Sequence, residues 1–402
     1  MAAGAGLALS GTAAMGQSES FETRMAQLPE APYTIRQGDF RLLISPSLGI
    51  DWNDNINTSR SDPRDDFILR PLLRLTASYP LTQKNLLRLN VGFGYDHYFE
   101  HSELSTWRLT SDSALSFDMM IKDVLINLHN RVSYSRDSAE RGEVAGTAEQ
   151  GTLNNTTGIL AQWHLGDVTL SAGYDRQYAI SIADPLNYQD RTTDIVSMRA
   201  GLQVHPQLQV GVESPLTFTS YDLPVLNDNV GYGGGIYADW RPGTVMSLQP
   251  RFGYSAYDFR QTSLFTVAQD VEAFYGSLAF AHQPREAIGY NLSVGHELRL
   301  GLQSDSVKAT SARLTVNWAM VRRISVRPGF FYEHGKAAGR VRSGRAVAET
   351  YDWYGPELTV TGSLTEKLRL SLSYRLTFRD SSEPDRGYTQ NRIGLLASYS
   401  FQ

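Results

Sequence analysis

From Leu368 to Phe378 the chain reads Leu-Arg-Leu-Ser-Leu-Ser-Tyr-Arg-Leu-Thr-Phe, apolar or aromatic at every even position and polar at every odd one. Successive side chains of a strand point to opposite faces. The segment therefore presents one greasy face and one wet face along its whole length. About 9–11 residues is what a tilted strand needs to cross a bilayer, whereas soluble strands run nearer five or six. The same alternation predicts strands over 40–51, 66–80, 85–99, 106–120, 124–136, 153–164, 167–180, 192–204 and 207–220. It continues over 229–240, 244–258, 270–282, 287–301, 308–320, 323–334, 350–362, 367–379 and 388–401. The count is about eighteen. Alternation is patchy in 153–164, 229–240 and 270–282, so sixteen is the alternative.

The connections sort by length. Short ones centre on Leu81 to Lys84, Ile121 to Asp123, Gly166, His205 to Pro206, Arg241 to Gly243, Gln283 to Glu286, Val321 to Arg322 and Leu364 to Glu366. Long polar ones include 52–65, 137–152, 181–191, 221–228, 335–349 and 380–387. Transmembrane barrels have short periplasmic turns and longer outer loops, and a soluble sandwich has no reason to sort its loops this way. The expected fold is all-β, a transmembrane antiparallel up-and-down β-barrel. An even strand number leaves both termini on the periplasmic side. No run of about 18 apolar residues offers a membrane-spanning helix.

Parity assigns the faces. Leu87, Leu89, Val91 and Phe93 would face lipid, as would Leu292, Val294 and Leu298, Leu314, Val316 and Trp318, and Ile393, Leu395, Ala397 and Tyr399. Tyr95, Phe117, Tyr134, Trp163, Tyr174, Trp240, Tyr254, Tyr332, Tyr374 and Phe378 lie toward strand ends, where aromatic girdles belong. His296 is the exception, a polar residue on lipid parity. The opposite face gathers Arg41, Arg70, Arg74, Arg88, Arg108, Arg131, Arg199, Arg251, Arg299, Arg313, Arg327, Arg369, Arg375 and Arg392. With them stand Asp51, Asp96, Asp112, Asp118, Asp175, Glu213, Asp239, Glu297, Glu333 and Glu357. A charge facing lipid at the midplane costs about 2–4 kcal/mol, so this face requires a polar, water-filled interior. Most of these groups are expected to pair across strands. The surplus of arginine is the candidate chemistry, because a guanidinium fork matches carboxylate and phosphate and rings of Arg favour anions in pores.

Composition sharpens this picture in three ways. Of 37 basic residues only five are lysine, leaving 32 arginines. The net charge of -5 excludes a nucleic-acid protein driven by bulk charge, and because the lumen face sets fourteen arginines against ten acids the negative excess sits in loops and tails. There is no cysteine, which fits an exported chain without a disulfide framework. Residues 2–15 form a short stretch rich in small apolar residues, and Ala14 and Gly16 stand at positions −3 and −1 of a cleavage before Gln17. Residues 1–16 thus read as a signal peptide, truncated in that no basic residue precedes the apolar region. Residues 17–39 read as a periplasmic N-terminal extension, tail or plug, and 40–402 as the barrel. No nucleophile elbow, zinc-protease helix or phosphate loop occurs. His129 and Ser133 share only a strand face, so neither a catalytic site nor a metal or cofactor is expected. The run Gly233, Gly234, Gly235 reads as a bend or a close approach within a strand.

Ser47-Leu48-Gly49-Ile50-Asp51-Trp52-Asn53-Asp54-Asn55-Ile56-Asn57 resembles the first strand and loop of the second β-barrel porin family of outer-membrane proteins, and Gly92-Phe93-Gly94-Tyr95-Asp96 resembles its later strands. The resemblance covers about 40–402 and implies a location in the cell outer membrane of a Gram-negative bacterium. Some members resemble the outer-membrane components of exopolysaccharide export, and an arginine-lined eighteen-strand barrel also resembles the export porin for alginate. The function expected is therefore a channel exporting an anionic exopolysaccharide, with periplasmic export components as partners. The alternatives are a passive porin for small anionic solutes and a blocked structural or receptor barrel. Other expected partners are outer-membrane lipid and the barrel assembly machinery. The latter would engage the C-terminal strand, whose alternation ends on Phe401 with Gln402 after it. No nucleic-acid partner is expected.

Overall fold

The computed structural model describes residues 31–135, 142–148, 151–265, 267–342 and 345–401, with Met25 and Leu28. The expected signal segment, residues 1–16, lies outside the described residues. The wall begins with β1 (Ile35–Gln37), β2 (Phe40–Asn53), β3 (Asp66–Thr82), β4 (Asn85–Tyr98), β5 (Thr106–Leu109), β6 (Ala114–Ile121) and β7 (Val124–Ser135). It continues through β8 (Thr152–Leu165), β9 (Val168–Ser181), β10 (Arg191–His205), β11 (Leu208–Tyr221), β12 (Asn229–Trp240) and β13 (Met246–Phe259). Completing it are β14 (Val271–Arg285), β15 (Ile288–Arg299), β16 (Ser306–Val321), β17 (Ile324–Arg342), β18 (Arg345–Ser363), β19 (Leu368–Ser381) and β20 (Tyr388–Tyr399). Each strand pairs antiparallel with its neighbour, and β20 returns to β2 from Ser47↔Ser398 to Asn53↔Arg392, closing the sheet. β5 and β6 share one place in the wall beside β4, and β1 is a short clip, so the closed barrel has eighteen strands.

The clip completes the seam. β20 leaves β2 below Ser47, and β1 takes up the free edge there, with Ile35 opposite Leu42. The Thr34 hydroxyl donates to the Phe401 carbonyl and accepts from the Ile44 amide. Further toward the N-terminus, Met25 and Leu28 rest against Leu86, Met120 and Leu125 at the turn-side end of the lumen.

The outer wall is a belt of exposed apolar side chains, including Leu73, Phe93, Met198, Val212, Ile236, Phe252 and Leu372. Ile236 is 61% and Met198 59% exposed, which only a lipid surround satisfies. Near the loop-side rim one contact recurs six times. A tyrosine hydroxyl reaches a side chain on the next strand, one step nearer the loops: Tyr174 to Asp194, Tyr232 to Asp258, Tyr254 to Glu272, Tyr332 to Asp352, Tyr354 to Asp380 and Tyr374 to Asn391. A ring in hydrocarbon with its hydroxyl bonded at the wet end is how Tyr marks a membrane interface. His296 belongs to this rim, since its Nδ1 lies 2.8 Å from the Thr310 hydroxyl.

The structure departs from the sequence expectations in four places. Residues 335–342 and 345–349 are not loop, because β17 and β18 stay paired beyond the membrane, from Lys336↔Thr350 to Arg342↔Arg345. The segment 106–120 is broken at 110–113, where Thr110 folds onto Gly92 and the Gly92 amide bonds the Ser113 hydroxyl at 3.1 Å. A Cβ on Gly92 would sit 2.2 Å from Thr110 Oγ1, so the glycine makes room for this bulge. Leu298 does not face lipid but is buried, clustered with Tyr257, Phe259 and Leu300 where the loop side closes over it. Nor is the interior water-filled throughout. Ala145, Phe331, Tyr351, Trp353 and Tyr388 form an apolar cluster in its loop-side part.

Candidate functional site: the arginine-lined lumen

Lumen-facing arginines occupy odd or even positions of successive strands, and most find partners across the ladder. Arg70 lies 3.2 Å from Asp51 and 3.8 Å from Asp96. Asp51 also receives Arg392 at 2.8 Å, and Asp96 receives Arg108 at 3.1 Å. Across the barrel Glu213 is shared by Arg199 at 3.5 Å and Arg251 at 3.7 Å, with Arg199 also over the Tyr237 ring. These three carboxylates thus serve five guanidiniums. Carboxylates limited to two oxygens leave forked donors over, so the wall keeps a positive character although its charges are paired.

The other expected residues fall as follows. Arg74 pairs with Asp112 at 3.2 Å, a contact the bulge at 110–113 makes possible. Arg88 pairs with Asp118 at 3.0 Å, and a chain of polar contacts continues through Asn127 and His129 to Asp175. His129 therefore turns to Asn127 and Asp175, not to Ser133. Arg299 reaches Glu333 at 2.8 Å and Glu297 at 3.2 Å, and Arg313 reaches Glu357 at 2.8 Å. Arg327 donates to Asn317 at 2.8 Å, and Arg375 lies over the rings of Phe331 and Trp353. Arg131 and Arg369 are exposed, and among the described residues no acid pairs with either. Arg41 is buried.

Four of these arginines, Arg74, Arg88, Arg131 and Arg199, wall a cavity of about 640 Å³ in the turn-side part of the lumen, together with Asp118, Asp175 and Asp239. Between these charges the lining is mixed, with Ser116, Asn127 and Gln162 beside Leu89, Leu160 and Tyr237. The glycine run lies in the same interior. A Cβ on Gly235 would meet the Tyr275 hydroxyl at 2.1 Å, and one on Gly253 would meet the same ring at 2.4 Å. Tyr275 can lie flat on this bare backbone and reach Glu213 at 3.2 Å.

The loop-side mouth is narrowed by chain folded inward. Residues 142–148, between β7 and β8, are held from the far side of the barrel. Arg379 donates to the Gly142 carbonyl at 2.6 Å, and Arg386 donates to the carbonyls of Glu143 and Ala145. Glu349 accepts from both arginines, at 2.6 and 2.9 Å, and all three side chains are buried. On the opposite flank the Gly146 amide bonds Thr58, which sits at φ 48°. Asn227 is bonded to Asp305 and to the amides of Thr262 and Ser263, tying three further loops together. Arg379, Arg386 and Glu349 were not among the expected residues. Arg379 continues the parity of Arg369 and Arg375, a signal available in the sequence, but Arg386 lies in a loop where parity says nothing.

A closed eighteen-strand antiparallel barrel with short turns on one rim, inward-folded loops at the other and a charged lumen defines an outer-membrane porin. The profile of the family described as Putative beta-barrel porin 2 matches residues 29–400, and the chain belongs to that family. No protein of curated function matches the sequence. Among solved structures, a BenF-like porin from Pseudomonas fluorescens Pf-5 superposes with a TM-score of 0.51 at 10% identity, covering 89% of this chain and 98% of its own. Pseudomonas aeruginosa OccK2 (OpdF) in complex with glucuronate gives 0.51 at 10% identity, over 90% and 98%. Pseudomonas aeruginosa OpdK with vanillate gives 0.50 at 9% identity, over 89% and 98%. At such identity the likeness is one of fold. The porin part of the sequence expectation stands, and the likeness to polysaccharide exporters gains no support.

Proposed function

We propose that the protein is a passive porin for small anionic solutes, with carboxylates of about one ring in size as the preferred class. The observation that carries this reading is the arginine excess of the lumen, where Asp51, Asp96 and Glu213 are each shared by two guanidiniums and Arg74, Arg88, Arg131 and Arg199 line an open cavity. A carboxylate entering such a lumen exchanges its water for guanidinium donors already turned inward, above all those of Arg131, which no acid pairs with among the described residues. Vanillate and glucuronate, the ligands named with two of the structural neighbours, are both of this class. The export of an acidic polysaccharide, expected from the sequence, is the weaker reading. Loops that bond to one another across the mouth suit a solute of small cross-section better than a polymer chain.

The test is uptake into proteoliposomes. The protein should pass glucuronate faster than glucose, although glucose is of similar size and uncharged. Replacing Arg74, Arg131 and Arg369 together by glutamine should remove most of that advantage, since no acid pairs with Arg131 or Arg369 among the described residues and the Arg74–Asp112 pair is partly exposed. Equal rates for the two sugars in the parent protein would refute the anion reading. Loss of surface polysaccharide in a deletion strain, with uptake of small anions unchanged, would restore the export reading.

A further inference from the structure

The five lysines divide into two sets. Lys84, Lys122 and Lys367 stand in turns at the short-turn rim. Lys308 and Lys336 stand directly opposite one another on β16 and β17, at the other end of the barrel and on its outer face. Parity shows the face: Leu314 and Trp318 on β16 and Phe330 on β17 are exposed apolar residues of the same register set. One row nearer the membrane, His296, Thr310 and His334 lie side by side on β15, β16 and β17.

Height along the wall follows from strand geometry. A strand tilted by about 40° climbs about 2.5 Å per residue along the barrel axis. The outward apolar set on β17 runs from Ile324 to Tyr332, about 20 Å, and Lys336 stands about 10 Å higher. The apolar band of such barrels is about 25 Å tall. His334 is thus at the edge of the hydrocarbon and Lys336 is among the headgroups, outside if the long loops are outside.

Two like charges directly opposed on one sheet face repel. Among the described residues neither ammonium has a carboxylate partner. Lys308 donates to the Glu272 backbone carbonyl at 3.1 Å. The acids nearby are already engaged: the Glu272 carboxylate by Tyr254, and Asp352 by both Tyr332 and His334. The interior meanwhile uses arginine throughout, so this pair does not serve the pore. A lysine pair presents two compact, three-donor charges at the level where a lipid carries its phosphates.

We propose that Lys308 and Lys336, with His296 and His334 beneath them, dock the phosphate of a phosphorylated glycolipid of the outer leaflet. Its acyl chains would lie along Leu314 and Phe330. Basic side chains at a membrane surface each contribute about 1 kcal/mol toward anionic lipid, so losing both should weaken binding about tenfold or more.

The experiment is native mass spectrometry of the full chain in detergent, titrated with diphosphoryl lipid A or with the same lipid stripped of phosphate. The parent should retain the phosphorylated lipid at least about tenfold better. The double variant K308Q/K336Q should lose that preference, and K308R/K336R, which keeps the charge, should retain it. Heat-modifiable gel migration confirms that each variant is folded. Equal retention of both lipids by the parent, or unchanged retention by the folded K308Q/K336Q variant, would overturn the proposal. So would full displacement of the lipid by millimolar inorganic phosphate, which would mark a site for free anions instead.

Discussion

Arg379 Nε donates to the carbonyl of Gly142 at 2.6 Å across 237 residues of sequence, joining the nineteenth strand to a segment that lies between the seventh and eighth. The bond holds chain inside the barrel that a loop's composition alone would leave outside. Removing one partner of a buried charged cluster costs about 3–5 kcal/mol, because the charge left behind has lost its match. In R379A, Glu349 keeps only Arg386 as a cationic partner among the described residues. The expected result is loss of hydrogen-exchange protection at 142–148 together with a larger single-channel conductance. Protection unchanged in R379A would show that the segment holds itself.

The shared acids set the sign of a second expectation. Asp96 serves Arg70 and Arg108 at once. In D96N both guanidiniums lose a counter-charge, so the reversal potential in a salt gradient should move toward stronger anion selectivity. R108Q should move it the opposite way. Either shift should fade as salt rises, since screening acts over about 8 Å at physiological ionic strength and about 3 Å at 1 M.

Orientation is tested by placing cysteine on each rim. This cysteine-free chain needs no background removed. Asp62, exposed in the loop between β2 and β3, should label in intact cells as D62C. Asp167 and Glu366, exposed in short turns, should label as D167C and E366C only after the outer membrane is breached. The reverse pattern would invert the barrel.

A fourth expectation concerns the bare backbone under Tyr275. In G253A the new methyl would overlap the ring, and overpacking of this kind costs about 1–3 kcal/mol. The unfolding temperature read from heat-modifiable migration should fall. Y275L in the same background should recover part of the loss, since the smaller side chain vacates the space.

Strand number and face were legible because lipid enforces alternation residue by residue, as in 368–378. That enforcement stops at the headgroups. The upper part of β17 holds Gly335, Lys336 and Ala337, which look like loop in sequence, yet its ladder with β18 continues through backbone bonds that ask nothing of the side chains. Parity likewise gave Arg74 its side but not its partner. Asp112 reaches it through a bulge that local spacing does not reveal. The inward segment was hidden for a different reason. Glu143, Val144 and Ala145 have an ordinary loop composition, and the groups that bury them lie more than two hundred residues away.

The seam between β2 and β20 has a consequence for how such a wall comes into being. β2 makes thirteen residue pairs with β3 but only seven with β20, and three more with β1 complete that edge. The two ends of the barrel wall meet at one oxygen, the hydroxyl of Thr34, 367 residues from the carbonyl it bonds. Contacts so remote in sequence form late, since their loop entropy must be met first. Until then β2 and β20 are bare edges able to pair with any neighbouring strand. The vulnerable period in the life of this molecule is therefore its youth, between the release of its last strand and the fastening of a three-residue clip.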